Sequence, residues 1–142
     1  MKTAVVLAEA SEYRPSEDEE FMNERQLEYF KQKLLNWKEE ILRESRETLT
    51  HLQSETENHP DLADRASSET DRALELRTRD RQRKLISKID EALRRIEDGS
   101  YGYCEETGEP IGVARLEARP IATLSLEAQE RHERRERVHR DD

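Results

Sequence analysis

Apolar residues at helical spacing mark the first half of the chain. They recur at intervals of three or four residues, and a second row runs beside them. The first row is Leu27, Phe30, Leu34, Trp37 and Ile41, and the second is Leu35, Leu42, Leu49 and Leu52. No glycine or proline interrupts residues 23–57, and Asn23 followed by Gln26 is typical of a capping box. This pattern predicts one long helix whose doubled stripe faces more than one neighbour near residues 34–42.

A second long helix is predicted after Pro60, which interrupts the pattern. Residues 61–98 again contain no glycine or proline, and Gly99 follows where helices commonly end. The predicted seam is Leu74, Leu85, Ile86, Ile89, Leu93 and Ile96, with Ala66, Ala73 and Ala92 as small fillers. Two helices of nearly equal length can bury their stripes by folding back antiparallel, so we expect a long two-helix coiled coil.

The character of the chain changes after Gly99. Residues 101–112 contain the other three glycines and predict short extended pieces around a turn. A C-terminal helix is expected from about residue 124, with Ser125 as its N-cap. The expected small core is Tyr101, Tyr103, Ile111, Leu116, Ile121 and Leu124, resting on Leu27, Phe30 and Ile96.

These patterns together predict a mainly α fold. It consists of a long antiparallel two-helix coiled coil, a small globular base that resembles a zinc knuckle, and a C-terminal helix. We expect an acidic, mobile leader over residues 1–20 and the coiled-coil hairpin over residues 21–98, with its tip near residues 58–66. Residues 99–142 would form the knuckle-like region and the last helix.

Composition narrows the function. Charged residues make up 42% of the 142 residues and hydrophobic residues 32%, which argues against an enzyme with a deep apolar pocket and suits a coiled coil. The net charge of −9 is concentrated in residues 1–64, which carry 8 basic and 16 acidic residues. No stretch combines a strong positive excess with aromatic residues. We therefore expect a protein partner and no direct DNA binding.

The same sequence predicts a cytoplasmic protein with no membrane association. A single cysteine cannot form an internal disulfide. The apolar run at residues 4–8 is too short for a signal peptide and is followed by Glu9 and Glu12. No segment approaches the ~20 apolar residues that a membrane span needs.

Residues 101–108 resemble the loop of a zinc knuckle in which most metal ligands are missing. Cys104 is the only thiolate position, and Thr107, Ser125 and Ala128 occupy the places of the other three ligands. We therefore expect no zinc. Cys104 could be a redox-sensing thiol, but no second cysteine is present to resolve an oxidised form, so a small semi-buried packing role is favoured.

Two charged clusters remain. Asp61 and Asp64 lie at the start of the second helix, where acids cap a helix and where the tip of a hairpin would also present functional charge. The run from Arg77 to Lys84 holds five cations, most simply a solvated face, although two or three of them with Lys88 could bind an anion.

Four strings in the chain resemble the TraR/DksA family of transcription factors. They are DLADRA at 61–66, LELRTRDR at 74–81, YGYC at 101–104 and IGVARLEARP at 111–120, and the likeness covers roughly residues 21–140. The resemblance implies a monomeric, non-enzymatic factor that binds RNA polymerase, with its coiled coil in the secondary channel. The tip, here Asp61, Asp64 and Ala66, would destabilise promoter open complexes without touching DNA.

The resemblance also implies residue roles elsewhere. Arg77 and Arg81 match positions that anchor the coil in the polymerase. The alarmone ppGpp, the signal of the stringent response, would contact Leu85, Lys88 and Arg119. A fourth basic contact is Gln129 here, which weakens the expected coupling to ppGpp. The cysteine-poor knuckle matches family variants expected to keep the fold without zinc.

Three alternatives stay open at this point. A Gre-like factor would use tip acids to hold a metal and promote transcript cleavage. A redox regulator would act through Cys104. A structural coiled-coil dimer would have no affinity for polymerase.

Overall fold

The computed structural model describes residues 13–57 and 62–141. Within these ranges the chain forms four helices, α1 at Glu24–Glu57, α2 at Leu62–Asp98, α3 at Val113–Ala118 and α4 at Leu126–Asp141. The only extended pairing in the described ranges is an isolated antiparallel bridge between Tyr103 and Pro110. The prediction of a mainly α fold is confirmed, whereas the short α3 was not predicted. None of the described helices is both long enough and apolar enough to cross a membrane.

Local hydrogen bonds explain where the long helices start and stop. The backbone amide of Gln26 donates to Asn23 Oδ1 at 2.8 Å, which confirms Asn23 as the cap of α1. The Gln26 side chain, fully buried, accepts from the amide of Met22 at 2.8 Å rather than from that of Asn23. At the end of α2, Gly99 adopts φ 85°, and the amides of Ser100 and Tyr101 both donate to the carbonyl of Arg95.

The chain divides into two compact units, which are described separately. One unit, Leu35–Glu91, contains the parts of α1 and α2 that pair with each other. Lys38 Nζ lies 2.7 Å from Asp90 Oδ1, and His51 Nδ1 lies 3.4 Å from Glu75 Oε1. Moving forward along α1 therefore moves backward along α2. The pairing is antiparallel, as predicted.

The seam of this unit becomes polar toward the break between the helices. Ile41 and Ile89 are buried. Seven residues before Ile89, the seam position is Gln82, which is 7% exposed. Seven residues before Gln82 it is Glu75, which is half-buried. The prediction that Leu74 belongs to the seam is wrong, because Leu74 is 54% exposed beside this row. Ala66 and Ala73 are exposed as well and fill no gap.

The second unit comprises the chain up to Leu34 and from Ala92 onward, and it holds the knuckle and α3. Phe30 and Tyr101 are buried with ring centroids 5.8 Å apart, and the Tyr101 hydroxyl donates to the carbonyl of Pro120 at 2.8 Å. The other buried hydrophobic residues of this core are Leu34, Ala92, Cys104, Ile111, Val113, Leu116, Ile121, Ala122 and Ala128. Tyr103 was predicted to be in the core but is 38% exposed, with its ring edge-on to Phe21 at 5.4 Å.

The leader is described only from Tyr13 onward. The Tyr13 hydroxyl donates to Glu19 at 2.8 Å, and the Arg25 guanidinium lies 4.1 Å from the centre of the Tyr13 ring. Residues 1–12 lie outside the described ranges, so the mobility of the leader stays a prediction.

Candidate functional site

The predicted tip is only partly described. Asp61 lies outside the described residues, and Asp64 belongs to the first turn of α2 without a described side chain. Ala66, two residues further along α2, is exposed. The functional role of these three residues stays a prediction.

Four exposed cations form a basic face on α2. Arg77, Arg81, Lys84 and Lys88 are spaced by four, three and four residues, which places them on one side of a helix. Lys84 pairs with Asp80 at 3.4 Å, but both side chains are more than half exposed, so this ion pair is weak. The basic face includes three of the predicted site residues, and Leu85 lies half-buried next to it.

The backbone around Arg119 is firmly held, while its side chain is exposed. Arg119 is the C-cap of α3, and its amide donates to the carbonyl of Arg115 at 2.8 Å. The Arg119 carbonyl accepts from the amide of Ala122 at 3.0 Å, and Arg115 Nε donates to the carbonyl of Leu124 at 3.0 Å. An exposed guanidinium on a fixed turn is suited to binding an anion.

Gln129 lies on α4, half-buried, and its side-chain amide donates to Glu133 at 3.3 Å. This position therefore offers a neutral amide where a cation was expected from the resemblance.

Hydrogen bonds connect the four knuckle positions. Cys104 is 3% exposed, and its thiol lies near the Thr107 hydroxyl and the backbone amides of Ser125, Thr107 and Glu106, all of which favour the thiolate. Burial raises the pKa of the thiol, but these neighbours outweigh it and lower the pKa to about 6. Ser125 Oγ accepts from the amide of Ala128 at 3.2 Å, which confirms Ser125 as the cap of α4.

These residues do not fit a zinc ion. A structural zinc site needs four ligands, usually thiolates and imidazoles, and here one position is a fully buried methyl group, Ala128. The hydroxyls of Thr107 and Ser125 already accept hydrogen bonds from backbone amides. Among the residues that the structure describes, no group of three or more His, Cys, Asp or Glu side chains could hold a metal. The nearby His132 is hydrogen-bonded to Glu106.

Sequence reasoning missed a cluster around Glu117. Tyr29 and Lys33 of α1 and Arg14 of the leader all donate to its carboxylate. The only signal in the sequence is that Glu117 belongs to the string IGVARLEARP at 111–120, which carries the family resemblance.

An antiparallel helical hairpin with an exposed basic face, together with a small unit whose loop has the spacing of a zinc knuckle, defines a class of helical-hairpin proteins. Two family models match the chain. The model of the N-terminal domain of the DnaK suppressor protein DksA matches residues 26–96. The model of the prokaryotic DksA/TraR C4-type zinc finger matches residues 99–134.

Whole-chain relatives agree with these matches. The chain is 87% identical over 142 residues to the RNA polymerase-binding transcription factor DksA of Caulobacter vibrioides, with all of both chains covered. It is 44% identical to the protein of that name from Escherichia coli K12, covering 94% of this chain and 88% of the relative. The solved structure of the transcription factor DksA2 from Pseudomonas aeruginosa matches with a TM-score of 0.78 and 43% identity, over 90% of this chain and 95% of that one. The chain belongs to the DksA family.

Proposed function

We propose that this protein is a transcription factor that binds RNA polymerase in the cytoplasm and has no catalytic activity of its own. The observation that carries the proposal is its 87% identity, over its whole length, to a relative named as an RNA polymerase-binding transcription factor. The charge pattern supports a protein partner, because the basic face of α2 is exposed and the rest of the chain is acidic on balance.

The proposed mode of action uses the hairpin as a probe. The hairpin enters the secondary channel of the polymerase, where Arg77 and Arg81 pair with acidic groups of the channel. Asp61, Asp64 and Ala66 then lie near the active centre and shorten the lifetime of promoter open complexes. Neither transcript cleavage nor DNA contact is part of this proposal.

The proposed regulatory ligand is ppGpp, which links the protein to the stringent response. Its proposed contacts are Leu85, Lys88 and Arg119, of which the two cations would meet its phosphates. Gln129 supplies no charge, so we expect ppGpp to bind more weakly than it would with a lysine at this position.

We propose further that the protein acts as a monomer without zinc. The monomeric state follows from the family resemblance. The absence of zinc is supported by the Ser125 and Thr107 hydroxyls, which accept from the backbone amides of Ala128 and Glu109 and so tie the knuckle together locally.

A second candidate function, thiol-based regulation through Cys104, is favoured by one observation. Its pKa of about 6 makes the thiolate the main form at neutral pH. Its exposure of 3% works against reaction with an oxidant, and the chain has no second cysteine. The test is to compare the activity of Cys104→Ser with that of the parent, with and without peroxide.

The main proposal is tested with purified RNA polymerase. We expect the protein to co-elute with the polymerase and to shorten open-complex lifetimes at a ribosomal RNA promoter, more strongly with ppGpp. Concentration-dependent self-association without polymerase binding would favour the structural-dimer alternative. Cleavage of transcripts in stalled complexes would favour the Gre-like alternative.

A further inference from the structure

The Glu117 cluster connects α1 to the end of α3. Glu117 Oε1 accepts from the Tyr29 hydroxyl at 2.5 Å and from Lys33 Nζ at 3.0 Å. Lys33 Nζ also donates to the main-chain carbonyl of Glu117 at 2.8 Å. The exposed Arg14 side chain adds a longer contact of 3.3 Å. Lys33 therefore holds both the side chain and the backbone of the same residue.

The cluster is sheltered enough for these bonds to fix geometry. The Lys33 and Glu117 side chains are 33% and 30% exposed, so solvent screens them less than an open surface pair. Burial raises the pKa of Glu117, but the bonds from Tyr29 and Lys33 lower it more strongly, so the carboxylate is charged. Burial and the neighbouring carboxylate raise the pKa of Tyr29, so the phenol keeps its proton and remains a donor.

The position of the cluster in the chain gives it a consequence for Arg119. The carbonyls in the last turn of a helix lack intrahelical partners, and α3 has only six residues. Lys33 Nζ donates a hydrogen bond to one of these carbonyls, that of Glu117, which lies two residues before Arg119. On the other side of Arg119, the Pro120 carbonyl accepts from Tyr101. The backbone before Arg119 is thus tied to α1 through Lys33, and the backbone after it is tied to the buried Tyr101, while Arg119 itself is exposed.

We propose that Tyr29, Lys33 and Glu117 are positioning residues that orient Arg119 toward the phosphates of its ligand. This inference rests on the proposed role of Arg119 in binding ppGpp. An arginine whose backbone is already fixed loses less freedom on binding, and its planar donors meet phosphate oxygens at a defined angle. Loss of the cluster weakens ppGpp binding without removing any group that touches the ligand.

The test measures how the lifetime of open complexes depends on ppGpp concentration. The variants are Glu117→Gln, Tyr29→Phe and Arg119→Ala, and Glu109→Gln serves as a matched control because Glu109 is exposed in the same unit. For Glu117→Gln we expect the half-maximal ppGpp concentration to rise about three- to tenfold, as for the loss of one hydrogen bond. The effect at saturating ppGpp is retained. Tyr29→Phe shifts in the same direction by less, and the control matches the parent.

A double variant separates positioning from general destabilisation. If Glu117 acts through Arg119, adding Glu117→Gln to Arg119→Ala causes no further rise in the half-maximal concentration. An additive rise overturns the inference, as does a parental ppGpp response in Glu117→Gln. A loss of polymerase affinity in step with melting temperature, in both Glu117→Gln and Tyr29→Phe, assigns the cluster a structural role and also overturns it. A parental response in Arg119→Ala instead overturns the proposed ppGpp site itself.

Discussion

Replacing Gln82 with leucine should stabilise the hairpin. Gln82 is 7% exposed, one heptad from the fully buried Ile89, and its Oε1 is buried without a hydrogen-bond partner in the described part of the chain. An unpaired buried acceptor costs about 1–3 kcal/mol, and a buried leucine side chain contributes about 1.5–3 kcal/mol. Part of this gain is lost to imperfect packing, because Glu75 and Arg79 nearby also carry buried polar atoms without partners. We expect a net gain of about 1–3 kcal/mol in the free energy of unfolding.

The assay is guanidinium unfolding followed by helical circular dichroism at neutral pH. The control is Arg83→Leu, the exposed neighbour on α2, which should change the free energy of unfolding by less than about 0.5 kcal/mol. If Gln82→Leu is instead destabilising by 1 kcal/mol or more, then an internal water or a local rearrangement satisfies Gln82. The polar seam would then be a connected network and not a weak point.

Four further outcomes follow from the site. Asp64→Asn should abolish repression of a ribosomal RNA promoter with polymerase affinity kept within about threefold, since a lost cap costs only ~1 kcal/mol; a matching loss of affinity and melting temperature contradicts this. Absorbance at 240 nm should titrate Cys104 near pH 6, below its ordinary value of 9.0. Because the pKa is lowered in the folded state, the thiolate's contribution to the free energy of unfolding is complete above pH 9 and falls as the pH drops toward 6. This pH dependence should be missing in Cys104→Val. Strong chelator should leave helicity unchanged, and metal analysis should find far less than one zinc per chain; a zinc that resists dialysis would show that the knuckle binds metal. Gln129→Lys should shift the ppGpp response to lower concentration, by up to about tenfold for one charged hydrogen bond, and an unchanged response would place Gln129 outside the ppGpp site.

The sequence by itself determined the helices and their ends. Helix periodicity, capping and glycine stops are local properties, so they predicted α1 and α2 within a residue or two and identified the caps at Asn23 and Ser125. The resemblance strings identified the family for the same reason, because they can be read along the chain. The positions of Cys104, Thr107, Ser125 and Ala128 also came from spacing alone.

Tertiary structure decided what spacing could not specify. Leu74 looked like a seam residue, but the rotation of α2 against α1 buries Gln82 instead, and that rotation depends on the packing of both helices. The lowered pKa of Cys104 arises from amides and a hydroxyl that the folded loop brings to one sulfur. The Glu117 cluster joins residues 84 and 88 positions apart in the chain. No local pattern carries such contacts, because they exist only once the elements have packed.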